Sequence, residues 1–266
     1  MRILLSNDDG VNAPGILALK KGLESLGEVF LIAPERPRSA SGHSITLHKP
    51  LRIEETVLLD GSKAWSSNGT PADCVTLGYD VLMEGRVDLV MSGINAGPNL
   101  GWDLTYSGTV AAAIEGCILG APAVAISVAG DREPYDFSIS SQFARQLAVL
   151  IRKNGLPPGI VLNVNVPQVE RGKIKGVAIT HQGRREYTDR VEKRIDPWGR
   201  PYYWVHGTIL DDVSDPESDV HKVMDNWISV TPIHLDLTAN QQMEALKKWD
   251  MSGLSDEEDT TEAYPS

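Results

Sequence analysis

The sequence predicts an α/β fold: a Rossmann-like, doubly wound, mostly parallel sheet with a C-terminal hairpin or arm extension. Short, continuously apolar segments alternate with amphipathic helical segments, a pattern typical of strands buried under helices on both faces. At 266 residues the chain can bury roughly three quarters of the surface that its unfolded form exposes. It therefore needs neither disulfides nor a structural metal to fold. The strand order does not follow from the sequence.

The first predicted unit is strand, helix, strand. The segments Arg2 to Ser6 and Glu28 to Ala33 are short and apolar, as buried strands are. Between them, Pro14 suits the first position of a helix and Gly27 suits the position just after its end. Leucines on one face of that helix would pack against the sheet.

The same alternation continues along the chain. The predicted elements are a helix at Pro71 to Leu82, capped by Thr70, a strand at Asp88 to Met91, a helix from about Thr109, a strand at Ala123 to Val128, a helix at Ser140 to Lys153 and a strand at Ile160 to Val166. We assign residues 1–183 to an α/β catalytic domain on this basis.

After Gly183 the pattern changes. Charged residues crowd the segment Arg184 to Arg194, and Asp196 to Gly199 has the composition of a turn between two extended segments. This pattern predicts a hairpin arm.

The rest of the second region, 184–251, holds a strand-like segment at Trp227 to Pro232 and a helix near Asn240 to Trp249. These segments can fold back on the sheet or pack on a neighbouring molecule. The final residues, 252–266, are acidic and poor in large apolar side chains, so we expect a disordered tail.

Composition excludes some function classes. The net charge of -11 argues against a protein that binds the nucleic-acid backbone, because such binding depends on Lys and Arg, so we expect no stable nucleic-acid complex. Cys74 and Cys117 lie in predicted helices and are expected to be free thiols. Without an evident signal peptide or membrane span, we expect a cytoplasmic protein with no membrane partner.

Three polar clusters follow predicted strands. They are Ser6 to Gly10 after the first strand, the Pro34 to Ser44 loop after the second, and Ser92 to Asn95 after the strand ending near Met91. Because ligands bind outside the carboxyl ends of strands in open α/β sheets, we expect these loops to converge.

The adjacent carboxylates Asp8 and Asp9 would repel each other in a dry site, and a divalent cation removes that penalty. Hydroxyl and amide oxygens of Ser39 and Asn95 can complete the oxygen shell that Mg²⁺, Mn²⁺ or Ca²⁺ prefers. His43 is the only imidazole in these loops, which disfavours zinc. Each of the four residues is also an ordinary turn former when taken alone.

A phosphate site is predicted next to these residues. A glycine-spaced loop at 95–101 leads toward a helix of small residues, an arrangement that presents backbone N–H groups to an anion. Asn99 adds an amide, Ser107 and Thr109 add hydroxyls, and Gly108 adds a backbone N–H. The alternative is that Ser107 or Thr109 only caps the helix, a role compatible with phosphate binding.

With these residues together, the chain resembles the SurE family, the stationary-phase survival proteins. The matching segments, which span roughly the first half of the chain in order, are Ile3 to Gly10, Ala33-Pro34 with Ser39 and Ser44 to Leu47, Asn68 to Val75, Ser92 to Gly101 and Tyr106 to Ala113.

The resemblance implies a ligand set and an activity. The family's metal ligands fall here on Asp8, Asp9, Ser39 and Asn95, and its phosphate region on Asn99 and Ser107 to Thr109. It implies one divalent cation per subunit, Mg²⁺ or Mn²⁺, with Ca²⁺ as an alternative. It also implies hydrolysis of nucleoside 5′- and 3′-monophosphates, which makes the chain a 5′-nucleotidase. We expect catalysis at Asp8, Asp9 and Asn95.

The family's C-terminal arm forms dimers or tetramers, and the hairpin near Asp196 to Gly199 is a candidate for that arm. The resemblance thus implies a homodimer or homotetramer with region 184–251 in oligomerisation. The C-terminal part matches the family less distinctly, and the acidic tail is not part of its pattern.

Three rival functions stay open. An aspartyl-phosphate phosphatase also places acids after its first strand, but in an Asp-x-Asp pattern. A phospho-acceptor signalling module needs a further aspartate where this chain has Ser92 to Asn95. A nucleotide- or phosphate-binding module without turnover would use the same loops and release no phosphate.

Overall fold

A computed structural model describes residues 1–130, 133–188, 191–205 and 207–251. The predicted acidic tail, 252–266, lies outside the described residues. The strands are β1 (Arg2–Ser6), β2 (Glu28–Pro34), β3 (Ile53–Val57), β4 (Lys63–Ser67), β5 (Leu89–Ala96), β6 (Ala123–Ala129), β7 (Ile160–Pro167), β8 (Gly176–Ile179), β9 (Arg185–Thr188), β10 (Val191–Ile195), β11 (Pro201–Val205), β12 (Thr208–Asp211) and β13 (Trp227–His234).

The helices are α1 (Pro14–Leu23), α2 (Pro71–Leu77), α3 (Gly108–Ile118), α4 (Ser138–Asn154), α5 (Asp219–Met224) and α6 (Asn240–Leu246). The chain forms two compact units, 1–235 and 236–266, and α6 is the helix described in the second. No helix in the described part of the chain is both long and apolar enough to cross a membrane.

The central sheet confirms the predicted α/β class. Its nine strands lie in the order β3-β4-β2-β1-β5-β6-β7-β13-β8. The six strands from β4 to β7 in that order are parallel, whereas β13 is antiparallel to β7 and parallel to β8. The strand-like segment near Trp227 forms β13, which folds back into the sheet. This is one of the two placements that the sequence left open.

Each face of the sheet is covered by its own pair of helices. Ile3 and Leu5 on β1 pack in the cluster under α1 and α4, whereas Leu4 between them packs in the cluster under α2 and α3. This alternation follows from the strand geometry, in which successive side chains point to opposite faces. All three side chains are fully buried, and each burial stabilises the fold by roughly 1.5–3 kcal/mol.

Several local predictions are confirmed, and the bounds of others are corrected. Thr70 caps α2 by accepting from the Asp73 N–H at 3.1 Å, while the Asp73 carboxylate accepts from the Thr70 N–H at 2.8 Å. The predicted helix over Pro71 to Leu82 is α-helical as far as Leu77 and continues as a π-helix over Gly78–Leu82. The sequence analysis missed β3 and β4. Cys74 is buried, Cys117 is half-buried, and both are free thiols.

The predicted hairpin is present. Strand β9 pairs with β12, and β10 pairs with β11, both antiparallel. The predicted turn lies between β10 and β11, where the Asp196 carboxylate accepts from the backbone N–H groups of Trp198 at 2.9 Å and Arg200 at 2.8 Å.

Candidate metal and phosphate site

The strand order reverses beside β1, since β2 and β4 lie on one side of it and β5, β6 and β7 on the other. The crevice outside the carboxyl ends of the strands at such a reversal is where open α/β sheets bind ligands. Asp8 and Asp9 follow β1 directly, and Asn95 is the second-last residue of β5. The topology therefore brings these residues to one edge, as the sequence predicted.

The loop after β1 is fixed by its own hydrogen bonds. The Asn7 amide donates to the Gly10 carbonyl at 3.0 Å and accepts from the Gly10 N–H at 3.1 Å. Gly10 has φ of 98°, a conformation that favours glycine. The backbone N–H of Arg38, in the loop after β2, donates to the Asp8 carbonyl at 2.8 Å. The two adjacent carboxylates are thus held on a braced turn.

Thr109, in the first turn of α3, connects two of the predicted ligands. Its hydroxyl hydrogen-bonds to Oδ1 of Asp8 and lies 3.3 Å from Oδ1 of Asn95. The Asn95 amide nitrogen donates to the Gly97 carbonyl at 2.8 Å, which turns the amide oxygen toward Thr109. One carboxylate oxygen and one amide oxygen therefore converge at the same hydroxyl.

Burial disfavours the charged forms of both carboxylates. Burial raises the pKa of Asp8, although hydrogen bonds from Thr109 and from nearby backbone amides act against this. Burial and the negative charge of Asp8 raise the pKa of Asp9 to about 6, partly offset by the Ala96 N–H, which lies 3.3 Å from Asp9 Oδ2. Within the described ranges, no Lys or Arg side chain forms an ion pair with either aspartate.

The donor set at this edge suits a hard divalent cation. Two carboxylates and an amide oxygen are the ligand types that Mg²⁺, Mn²⁺ and Ca²⁺ prefer, and a cation would offset the repulsion between Asp8 and Asp9. Among the residues that the structure describes, no group of three or more His, Cys, Asp and Glu side chains could hold a metal. That result is compatible with a site in which a hydroxyl and an amide supply part of the ligand shell.

Ser39, the fourth predicted ligand, lies in the loop after β2. It is exposed, and it follows Arg38, whose backbone N–H donates to the Asp8 carbonyl. In the described part of the chain, its hydroxyl takes no part in the hydrogen bonds that connect Asp8 and Asn95. The Arg38 backbone thus provides a contact between this loop and the cluster.

The start of α3 lies against Asp8. A Cβ added to Gly108 would lie 2.7 Å from Cβ of Asp8 and 2.9 Å from its Oδ2, so only glycine fits this contact. Hydrogen bonds from the backbone N–H groups of Gly108 and Thr109 act to lower the pKa of Asp8. Ser107 caps the helix by accepting from the Val110 N–H at 3.1 Å. The capping role considered for Ser107 is thus confirmed.

Asn99 is held in a buried network of amides. Its N–H donates to the Asn165 side chain at 2.8 Å, and its side-chain Nδ2 donates to Ser127 Oγ at 2.8 Å. Its carbonyl accepts from the amides of Asn163 at 2.9 Å and Asn165 at 3.0 Å. The Asn99 side chain therefore anchors its loop to β6 and β7 in this structure. Asparagines that alternate with valines in β7 were a signal for this network that the sequence analysis did not use.

Ser41 is a site residue that the sequence analysis missed. Its hydroxyl is buried and has no hydrogen-bond partner among the described residues. The position of a Cβ on Gly108 would be 2.9 Å from Ser41 Oγ and 2.9 Å from Asp8 Oδ2, so all three groups face one small space. The signal was a second serine two positions after Ser39 in the same loop.

Comparisons with known proteins agree with this geometry. The model of the family described as "Survival protein SurE" matches residues 3–189. The chain is 51% identical to the 5′-nucleotidase SurE of Moorella thermoacetica over 90% of this chain and 92% of that protein. It is 49% identical to the 5′-nucleotidase SurE of Pelotomaculum thermopropionicum, over 93% and 95% of the two chains. The crystal structure of the SurE protein from Aquifex aeolicus superposes with a TM-score of 0.82 at 44% identity, covering 93% of this chain and 98% of that one.

Proposed function

The chain belongs to the SurE family, and on this premise we propose that it is a 5′-nucleotidase. It hydrolyses nucleoside 5′-monophosphates, and also 3′-monophosphates, to nucleoside and phosphate. The observation that carries the proposal is the convergence of Asp8 and Asn95 oxygens on the Thr109 hydroxyl at the N-terminus of α3. Acidic and amide oxygens beside the N-terminus of a helix combine a cation site with an anion site.

The cation is Mg²⁺ or Mn²⁺, with Ca²⁺ as an alternative. Asp8, Asp9 and Asn95 would hold it, and Ser39 would join them from the neighbouring loop. When bound, such an ion supplies positive charge that stabilises the phosphoryl oxygens and acidifies water. The raised pKa of Asp9, about 6, supports this assignment because burial and the neighbouring Asp8 both disfavour its charged form, and a cation would offset both effects.

The protein's own groups bind and orient the substrate. The backbone N–H groups of Gly108 and Thr109 and the hydroxyls of Ser41 and Ser107 line the place where the phosphoryl oxygens bind. Asn99 contributes by fixing the loop that leads to α3. Donors placed in advance around a phosphoryl group lower the barrier to its transfer, since they need no reorganisation during the reaction.

The attacking water is oriented by a carboxylate. The Asp8 carboxylate accepts hydrogen bonds from the Thr109 hydroxyl and from three backbone amides. Among the described residues, Asp9 accepts a hydrogen bond from the Ala96 N–H through Oδ2 and no hydrogen bond through Oδ1, so Oδ1 is available to a water molecule. We therefore assign water orientation to Asp9.

The test measures phosphate release from AMP and GMP with Mn²⁺ or Mg²⁺ present, before and after chelation with EDTA. Turnover that EDTA stops and added Mn²⁺ restores is the expected result. Tight AMP binding without phosphate release would favour the binding module instead, and a trapped phosphoenzyme would favour the aspartyl-phosphate mechanism. A panel of 5′- and 3′-monophosphates then gives the preference for base and sugar position.

We further propose that region 184–251 mediates a homodimer or homotetramer, with residues 1–183 as the catalytic part. The support is the hairpin of β10 and β11, whose apolar side chains include Trp198, 79% exposed, and Val205, 83% exposed. Trp204→Glu should lower the mass measured by light scattering, whereas Leu59→Glu, at another exposed apolar position, should not. An unchanged mass in the Trp204 variant would exclude this hairpin as the interface.

A further inference from the structure

A cavity of about 550 Å³ opens beside the candidate metal site. Residues of its lining include Asp9, Ala13, Gly15, Ala96, Tyr135 and Phe137. Its volume falls within the range of roughly 300–1,000 Å³ that is typical of small-molecule sites. Asp9 and Ala96 belong both to this wall and to the candidate metal site, because the Ala96 N–H lies 3.3 Å from Asp9 Oδ2.

Two aromatic side chains form part of the wall. The rings of Tyr135 and Phe137 are stacked, with their centroids 6.2 Å apart and an angle of 30° between their planes. Both side chains are half-buried and pack against the hydrophobic core, so the core supports one side of the ring pair. A flat apolar surface of this kind suits a nucleobase, since every base presents a π-face that can stack.

Another part of the wall is closely packed. A Cβ on Gly15, in the first turn of α1, would lie 2.0 Å from the Ile94 carbonyl oxygen of β5 and 3.2 Å from the Phe137 ring. The helix backbone, the strand and the aromatic pair are therefore in close contact at this point. A cavity bounded by such elements is formed before any ligand arrives, which reduces the entropy lost on binding.

Charge sets the orientation of a bound nucleotide. The cavity lining includes Glu133, whose carboxylate repels a phosphate but accepts hydrogen bonds from ribose hydroxyls and from base amino groups. The N–H groups at the start of α3 attract the phosphate instead. A nucleotide bound across Asp9 would thus keep its phosphate beside α3 and its nucleoside in the cavity.

We propose that this cavity binds the nucleoside part of the substrate, with the base stacked against the Tyr135 and Phe137 pair. The inference rests on the proposed nucleotidase function. A second cavity, of about 670 Å³, is lined by Leu100, Arg185 and Met224 among others, and its lining includes none of Asp8, Asp9 and Asn95. Unlike the first cavity, this second cavity therefore shares no wall residue with the proposed metal ligands Asp8, Asp9 and Asn95.

The test compares AMP with ribose 5-phosphate, which carries the same phosphate ester without the base. Tyr135→Ala should lower the ratio of kcat/KM for AMP to that for ribose 5-phosphate by roughly tenfold, the loss expected when one base–aromatic stack is removed. Tyr135→Phe keeps the ring and should keep the ratio. Ala13→Trp should lower the ratio by filling the cavity, and Met224→Ala, in the second cavity, is the matched control that should not change it.

Adenosine binding, measured by calorimetry on the full-length protein, gives a readout independent of turnover. Wild type and Tyr135→Phe should bind it, and Tyr135→Ala and Ala13→Trp should bind it at least tenfold more weakly. A ratio unchanged in both cavity variants, or adenosine binding unchanged in them, would overturn the inference. If wild type hydrolyses neither substrate, the proposed function fails, and the adenosine measurement still decides whether the cavity binds a nucleoside.

Discussion

Two clusters in this molecule each bring a pair of aspartates together, and they differ in their cation. Asp103 and Asp211 converge on Arg185, which is 7% exposed and donates to Asp211 through Nε at 2.6 Å and to Asp103 through Nη1 at 3.2 Å. Asp8 and Asp9 meet without an ion pair to Lys or Arg anywhere in the described part of the chain.

The difference separates a structural cluster from a functional one. Burial lowers the pKa of Arg185, but its hydrogen bonds and ion pairs with Asp211 and Asp103 raise it overall, so the guanidinium stays charged. The pKa of Asp9 is raised instead. The first cluster contains its own counter-charge, whereas the counter-charge of the second would come from the proposed cation.

The largest expected effect is on turnover when one carboxylate of the cation-free pair is removed. Asp8→Asn should lower kcat/KM for AMP by at least about a thousandfold. Removal of a residue that only hydrogen-bonds to a metal ligand typically costs about 10–100-fold, and loss of the ligand itself should cost more. The measurement is a steady-state assay at saturating Mn²⁺ beside a thermal melt. Asp103→Asn, from the other cluster, is the control that should melt earlier and keep its turnover. Retained activity in the Asp8 variant would remove Asp8 from the ligand set.

The next effect is on stability when the internal cation is removed. Arg185→Met should lower the free energy of unfolding by about 3–5 kcal/mol, because it leaves two partly buried carboxylates without a counter-charge. Urea denaturation measures the change. The exposed Arg86–Glu84 pair, at 2.6 Å, supplies the control, since Arg86→Met should cost no more than about 1 kcal/mol. Equal losses in the two variants would mean that burial does not distinguish the ion pairs.

The smallest effect concerns pH. Because the pKa of Asp9 is raised from 3.8 to about 6, the folded state holds this proton more tightly than the unfolded state does. The free energy of unfolding should therefore fall as pH rises through this window and stay lower above it. Asp9→Asn removes the penalty. In EDTA, the variant should melt a few degrees above wild type at pH 7.

The control is the same measurement at acidic pH. Wild type and Asp9→Asn should melt at the same temperature at a pH below the unfolded-state pKa of 3.8. An advantage of the Asp9 variant that is equally large at low and neutral pH would show that its origin is not ionisation.

The sequence predicted the parallel part of the sheet because strands such as β1 and β6 are apolar throughout. It missed β3 and β4 because both strands are short and carry mostly polar side chains, and β3 also lies at the edge of the sheet, where no apolar run is required. The strand order could not be predicted either, since no local feature of Trp227–His234 specifies that this strand pairs with β7.

At the site, the sequence indicated which strand ends meet, because loops at the carboxyl ends of parallel strands share one edge. It did not indicate side-chain orientation. The Asn99 amide turns to Ser127, and the buried hydroxyl near Asp8 belongs to Ser41, two residues after the predicted Ser39. Both outcomes depend on contacts between residues far apart in the chain, which local patterns do not specify.

The position of β13 has a consequence for how the chain matures on the ribosome. Every proposed ligand lies before residue 110, but the strand that covers the edge of β7 ends at His234. A nascent chain that has emerged only to residue 183 carries β7 with an open row of backbone hydrogen-bonding groups, a template for unwanted pairing with other chains. Translation must therefore deliver the C-terminal strand before the nascent sheet is protected.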